Sequence, residues 1–190
     1  MKTLEAIQAT VRQLLRDEFE ESQDYEFADD ELEIHISEVL IEVSQRRPYE
    51  VKETVESDGT KEVDISEITD LLEVEKVEYP VGSDPPSFEK FSIFGNTLRI
   101  EDTTPTSGED IYLYCRKVHQ LTDTTSTLSP DLEKVLIEGA VAKAAMSWLN
   151  KMRAQIVPQT YRWYHDWAAQ QFAIYQNSLN QITRPRVWEF

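Results

Sequence analysis

Four stretches of this sequence place apolar residues three or four positions apart, which is the spacing of one face of an α-helix. They cover residues 2–20, 29–47, 129–157 and 159–182. The third has the clearest start, because Ser129 is a favourable cap and Pro130 suits the first helical position. The second opens on Asp29 and Asp30, which are candidate caps, and Pro48 stops it. The pattern predicts two helices at each end of the chain.

Between residues 49 and 128, apolar and polar residues alternate, as they do in strands with one buried face. We expect two hairpins, with turns at Asp58-Gly59 and Gly95-Asn96. The expected elements are a hairpin over 49–65, a short helix over 66–72, a strand over 74–79, a hairpin over 88–100 and a strand over 111–121. Cys115 lies in the last strand, where we expect a buried thiol.

The order of these elements predicts a mainly α fold: a helical bundle of about four helices, with an antiparallel β module inserted between the second and third helices. The two helix pairs are too short to form separate cores, so residues 1–48 and 129–183 are expected to share one. The β module covers residues 49–128, and residues 184–190 form a C-terminal arm.

The last predicted helix carries more large apolar residues than one buried face needs. One stripe contains Tyr161, Tyr164, Ala168, Phe172, Tyr175 and Leu179. Trp163, Trp167 and Ile174 lie partly off that stripe. Because a surface helix needs one apolar stripe, the second stripe predicts a second partner, either another helix of this chain or another copy. The alternative is that all these rings fill one core. For the second stripe we predict a subunit–subunit contact.

The C-terminal arm combines two cations with large apolar side chains. Its candidate partner-binding residues are Arg184, Arg186, Val187, Trp188 and Phe190. Exposed Trp and Phe side chains are costly unless something receives them. The arm is therefore predicted to dock on a partner, and the alternative is that it folds onto its own bundle.

The chain is acidic, with a net charge of −17 that is unevenly distributed. Residues 141–190 contain two acidic and six basic residues, whereas residues 1–140 contain 34 acidic and 13 basic residues. Like-charge repulsion disfavours binding of residues 1–140 to a nucleic-acid backbone. The charge permits plain solubility, repulsion of DNA from a surface, or imitation of DNA. No apolar run is long enough for a membrane span and no cleavable leader is evident, so we expect no membrane partner.

The sequence contains no recognisable catalytic signature. Its one cysteine excludes an internal disulfide and a cysteine-based zinc cluster within one chain. The glycines are too dispersed for a phosphate loop, and His35, His119 and His165 are far apart. No nucleophile, base and orienting group can be assembled, so we predict no enzyme activity, no cofactor and no metal. An enzyme with a cryptic carboxylate site is the least favoured hypothesis.

Four segments carry a recognisable pattern in a recognisable order: residues 29–48, 64–80, 108–114 and 129–142. They resemble segments of tailed-bacteriophage head-to-tail adaptor (connector) proteins. The resemblance lies in the pattern and order of the residues, and it covers most of residues 25–150.

The resemblance implies a structural protein of the virion that is assembled in the host cytoplasm. Such adaptors form a ring, commonly a dodecamer, beneath the portal protein at the head–tail junction. Tail or further neck proteins bind on the other side, and DNA passes through the channel without sequence-specific binding. The C-terminal segment often reaches the portal, which implies that role for Arg184, Arg186, Val187, Trp188 and Phe190. The alternative function is an acidic DNA mimic or another protein-binding module.

Overall fold

The computed structural model describes residues 2–17 and 26–182, which form four helices and seven strands. The helices are α1 (Leu4–Leu15), α2 (Asp29–Arg46), α3 (Pro130–Met152) and α4 (Pro158–Gln181). The strands are β1 (Tyr49–Glu56), β2 (Glu62–Asp64), β3 (Leu71–Glu78), β4 (Phe88–Glu89), β5 (Phe91–Phe94), β6 (Thr97–Ile100) and β7 (Asp110–Lys117).

The chain divides into two compact units. The helical unit consists of Met1–Arg47 and His119–Phe190, and the β unit is Pro48–Val118. Residues 119–128 thus belong to the helical unit, whereas the sequence assigned them to the β module. The side chain of His119 explains this placement, because its Nε2 donates to the Arg47 carbonyl at 3.0 Å and its Nδ1 accepts from Thr127 Oγ1 at 2.9 Å.

The predicted class, mainly α, is wrong. Helices contain 45% of the described residues, and the seven antiparallel strands, arranged in two sheets, contain 23%. The strands lie between α2 and α3, and the helices occupy the N- and C-terminal parts. The β unit also buries its own apolar cluster, which includes Leu98, Ile111 and Leu113. The chain therefore has an α+β fold with a separate core in each unit.

Helix α3 occupies the centre of the helical unit and packs against α1, α2 and α4. Its small residues allow close approach of the neighbouring helices. A Cβ atom added at Gly139 would lie 2.6 Å from Val39 Cγ1 and 2.7 Å from Tyr175 Cε2. Glycine at this position thus lets α2 and α4 reach the same point on α3.

The N-terminal corner of the helical unit is organised by a buried ion pair. Helix α1 ends at Leu15, earlier than the predicted end near residue 20. Arg12 Nη1 lies 2.5 Å from Asp17 Oδ2, and Arg12 Nη2 lies 2.6 Å from Asp29 Oδ1. Asp29 and Asp30 were expected to cap α2, but the N-cap is Ala28 and has no side-chain cap bond. The capping prediction is wrong because Asp29 lies inside the first turn, where its carboxylate pairs with Arg12.

The β unit contains a four-stranded sheet, ordered β1-β7-β3-β4, and a three-stranded sheet, ordered β2-β6-β5. The predicted hairpin over 49–65 is wrong, because β1 pairs along its full length with β7 and β2 pairs with β6. The predicted short helix over 66–72 is also wrong, since turns lead there into β3. The hairpin at Gly95-Asn96 is confirmed, with Phe94 opposite Thr97.

Candidate functional site

The outer face of α4 carries large apolar side chains in contact with solvent. Trp163 is 63% exposed and Ile174 is 39% exposed. Trp167, from the same predicted stripe, is partly buried and packs against the apolar clusters of its own helical unit. At 3.6 residues per turn, these three residues lie roughly 120° around α4 from its buried residues Ala168 and Tyr175. Helix α4 therefore has one face for its own core and a second, mostly unpartnered face.

A groove adjoins this face and has a volume of about 520 Å³. Its walls come from α1, α3 and α4 together with the corner around Asp17. The ring centroids of Trp148 and Tyr164 lie 5.2 Å apart in an edge-to-face contact, and those of Trp163 and Tyr164 lie 4.9 Å apart. The indole N–H of Trp148 donates to Glu26 Oε2 at 3.3 Å. The aromatic walls are thus held by ring contacts and a hydrogen bond within the helical unit.

The outer face of α2 is a second exposed apolar surface, which the sequence reading missed. Ile34 is 58% exposed and Ile41 is 46% exposed. They lie seven positions apart, on the side of α2 roughly opposite the buried residues Leu32 and Val39. The seven-residue spacing was visible in the sequence. It went unused because the core stripe alone was sufficient to predict the helix.

A polar network fixes α2, α3 and α4 to one another. The buried Tyr175 hydroxyl donates to the Glu42 carboxylate, and Lys143 Nζ lies 2.8 Å from Glu42 Oε1 and 3.0 Å from Glu38 Oε2. Burial is the main cause that raises the pKa of Tyr175, and the hydrogen bond to Glu42 raises it further. Burial opposes ionisation of Glu42, but the hydrogen bonds from Lys143 and Tyr175 outweigh it and lower the pKa of Glu42. The network sets the position of α4 on the unit.

The predicted partner-binding arm lies outside the described residues. This applies to Arg184, Arg186, Val187, Trp188 and Phe190. Their assignment to a partner therefore stays a prediction.

The histidines and acidic side chains of the described residues form no candidate metal site. Within residues 2–17 and 26–182, no group of three or more histidine, cysteine or acidic residues could hold a metal ion. Burial lowers the pKa of His35, and both ring nitrogens are buried without a hydrogen-bond partner in the described parts of the chain. Burial also lowers the pKa of His119. Both rings are therefore favoured in the neutral form, consistent with packing roles.

The β unit is acidic, with 17 acidic and seven basic residues in positions 48–118. Two of its carboxylates are used in local turns: Asp58 accepts from the Thr60 side chain at 2.7 Å, and Asp64 accepts from the Ser66 amide at 2.9 Å. These hydrogen bonds lower the pKa of each carboxyl group. The unit's most exposed large apolar side chain among the described residues is Phe94, which is 92% exposed beside the hairpin turn.

Buried polar side chains of the β unit serve its structure. Burial raises the pKa of the Cys115 thiol to about 11, so the thiol is protonated and unreactive near neutral pH. The Tyr114 hydroxyl donates to Glu78 Oε2 at 2.7 Å, and this bond raises the pKa of Tyr114 to about 12. The hydrogen bond between Tyr114 and Glu78 joins strands β7 and β3.

No protein-family model matches this chain, and no curated protein matches its sequence. None of the helices in the described parts of the chain has both the length and the apolar character of a membrane span. Together, the fold and surfaces define an acidic, two-unit α+β protein with two exposed apolar helix faces.

Proposed function

We propose that this protein is a structural head-to-tail adaptor of a tailed phage, which forms a ring below the portal protein and extends the DNA channel. The observation that carries the proposal is the exposed apolar face of α4, where Trp163 is more than half exposed. Lone surface apolar residues are ordinary, but a large indole beside a groove with aromatic walls is typical of an interaction surface. Burial against neighbouring copies removes this surface from water.

The charge of the chain suits a channel through which DNA moves. A net charge of −17 repels the DNA backbone at long range, so the duplex slides without binding. Both units share this charge, because residues 48–118 have a net charge of −10 and the rest of the chain has a net charge of −7. In this proposal the protein acts in the virion, at the head–tail junction, and has no catalytic role.

Size-exclusion chromatography with light scattering tests the proposal, with the chain alone and with a portal protein. We expect a mass that is a multiple of one chain, either alone or once portal is added, and the ring proposed is a dodecamer. A strict monomer that does not bind portal contradicts the proposal.

Deletion of residues 184–190 tests the role of the arm. We expect the truncated chain to fold, because the described residues of the helical unit already form an apolar core, and to bind portal more weakly. A circular dichroism spectrum like that of the full chain is the control for folding. Unchanged portal binding would contradict the assignment of Arg184, Arg186, Trp188 and Phe190 to that contact.

A second candidate function is an acidic DNA mimic, and the surplus of carboxylates in the β unit favours it. Such a protein competes with duplex DNA for a basic partner, and the competition weakens as salt screens the charges. Competition of this kind in the absence of any self-association or portal binding would favour the mimic over the ring.

A further inference from the structure

The two exposed helix faces of the helical unit match in spacing. The outer face of α2 presents Ile34 and Ile41, and on α4 the exposed Ile174 follows the half-buried Trp167 at the same seven-residue separation. This separation corresponds to about 10 Å along a helix axis. Trp163 extends the α4 face by one further turn. Helices that present apolar residues at this interval pack side by side, as in bundles and coiled coils.

The two faces differ in charge. Helix α2 contains six acidic residues and one basic residue, and Asp30, Glu33 and Glu38 are exposed on it. Helix α4 contains one basic residue, Arg162, and one acidic residue, Asp166, so it has no net charge. Two α2 faces brought together would repel each other, whereas an α2 face meets no net charge on α4. The charge therefore disfavours contact between two α2 faces and permits contact between unlike faces.

We propose that the outer face of α2 in one copy of the protein packs on the outer face of α4 in the next copy. The inference rests on the proposed ring function and specifies its subunit contact. Contact between unlike faces is head-to-tail, so every copy offers one face to each neighbour and the series closes into a ring when the rotation permits. Contact between like faces would stop at a dimer.

Two double variants test the two faces one at a time. Ile34→Glu with Ile41→Glu blocks the α2 face, and Trp163→Glu with Ile174→Glu blocks the α4 face. All four side chains are exposed, so the substitutions leave the buried core intact. The single substitutions Ile34→Glu and Trp163→Glu, at the most exposed position of each face, replace the double variants if those do not fold. Phe94→Glu, in the β unit, is the matched control for adding a carboxylate at an exposed apolar site.

The masses of the variants, alone and mixed, are measured by light scattering under conditions in which the wild-type chain self-associates. Each face variant alone is expected to have the mass of one chain, and Phe94→Glu is expected to keep the wild-type mass. An equimolar mixture of the two face variants is expected to have the mass of two chains and no more, because only one intact pair of unlike faces remains.

The results distinguish this contact from the ring function on which it rests. Wild-type mass for either face variant alone, or a mixture that contains only single chains or particles larger than two chains, would overturn the proposed contact and leave the ring standing. A wild-type chain that neither self-associates nor binds portal would overturn both.

Discussion

The helical unit and the β unit are both acidic and both have a buried core, but they expose apolar residues differently. In the helical unit, Trp163 and Ile174 share one helix face, and Ile34 and Ile41 share another. In the β unit, the exposed large apolar residues among those described are Leu72, Phe88, Ile93 and Phe94, which are spread over strands β3, β4 and β5. A row of residues on one rigid helix gives a surface that another helix can cover, whereas residues on three different strands form no such row. The comparison indicates that assembly belongs to the helical unit.

The largest expected effects come from truncating each core separately. Leu136→Ala in the helical unit and Leu113→Ala in the β unit each remove a fully buried side chain, and each is expected to lower the free energy of unfolding by about 2–5 kcal/mol. Hydrogen exchange followed by mass spectrometry should show lost amide protection mainly in the unit that carries the substitution. Equal loss of amide protection in both units would show that the two cores do not unfold separately.

A smaller cost is expected for Gly139→Ala. The new methyl group meets Val39 and Tyr175, and overpacking of this kind costs about 1–3 kcal/mol, which exceeds or offsets the gain in helix propensity. All four tryptophans lie in the helical unit, so tryptophan fluorescence during urea unfolding reports on that unit alone. Asn150→Ala, at an exposed position of α3, is the control and should be neutral or stabilising. Equal stabilisation by both substitutions would contradict the close helix approach.

The Glu42 network makes the helical unit sensitive to acid. The pKa of Glu42 in the folded chain is lowered from its ordinary value of 4.5. The ionised Glu42 therefore contributes its full share to the free energy of unfolding above pH 4.5, and this share is lost as the pH falls through the folded-state pKa. Lys143→Met should cost about 1 kcal/mol at neutral pH, and the difference from wild type should shrink in acid. Urea unfolding at several pH values measures this.

Lys134→Met is the control for that experiment, because Lys134 is exposed and lies 3.7 Å from Glu138 in a surface pair. Its effect on the free energy of unfolding should stay below about 0.5 kcal/mol at every pH. A cost for Lys143→Met that does not vary with pH would show that its ion pair with Glu42 is not the source of the stability.

The smallest effect is expected at the hairpin of the β unit. Phe94→Ser should change the free energy of unfolding by no more than about 0.5 kcal/mol, since the ring is almost fully exposed. Phe91→Ala, in the same hairpin, should cost more because Phe91 packs against the β core. Hydrogen exchange of the hairpin amides provides the measurement. A large loss at Phe94→Ser would give that ring a structural role.

The sequence predicts features that depend on local pattern. The long helices α2, α3 and α4 follow from apolar periodicity, and the hairpin between β5 and β6 follows from Gly95-Asn96. The pairing of β1 with β7 joins residues distant in the chain, such as Tyr49 and Lys117, and no local signal specifies it. The fold class was wrong because it was assigned from the helical bundle alone, whereas the strands form a second unit with its own core.

The candidate site, too, could be predicted where it depends on local pattern and not where it depends on packing. The second stripe of α4 was readable, but only the packing reveals that Trp163 stays exposed while Trp167 packs against its own core. The seven-residue spacing of Ile34 and Ile41 on α2 was also visible in the sequence, but the pattern alone did not show that both stay exposed. Ile36, two positions from Ile34, is buried, and this difference depends on where α3 lies.

Hydroxyl-radical footprinting with mass spectrometry, applied to the dilute chain and to its assembled form, tests most directly whether the helical unit carries the contacts. The account predicts that Trp163 and the peptide containing Ile34 and Ile41 become protected on assembly, while oxidation of Phe94 is unchanged. Protection at Phe94 with none at Trp163 or on α2 would contradict it.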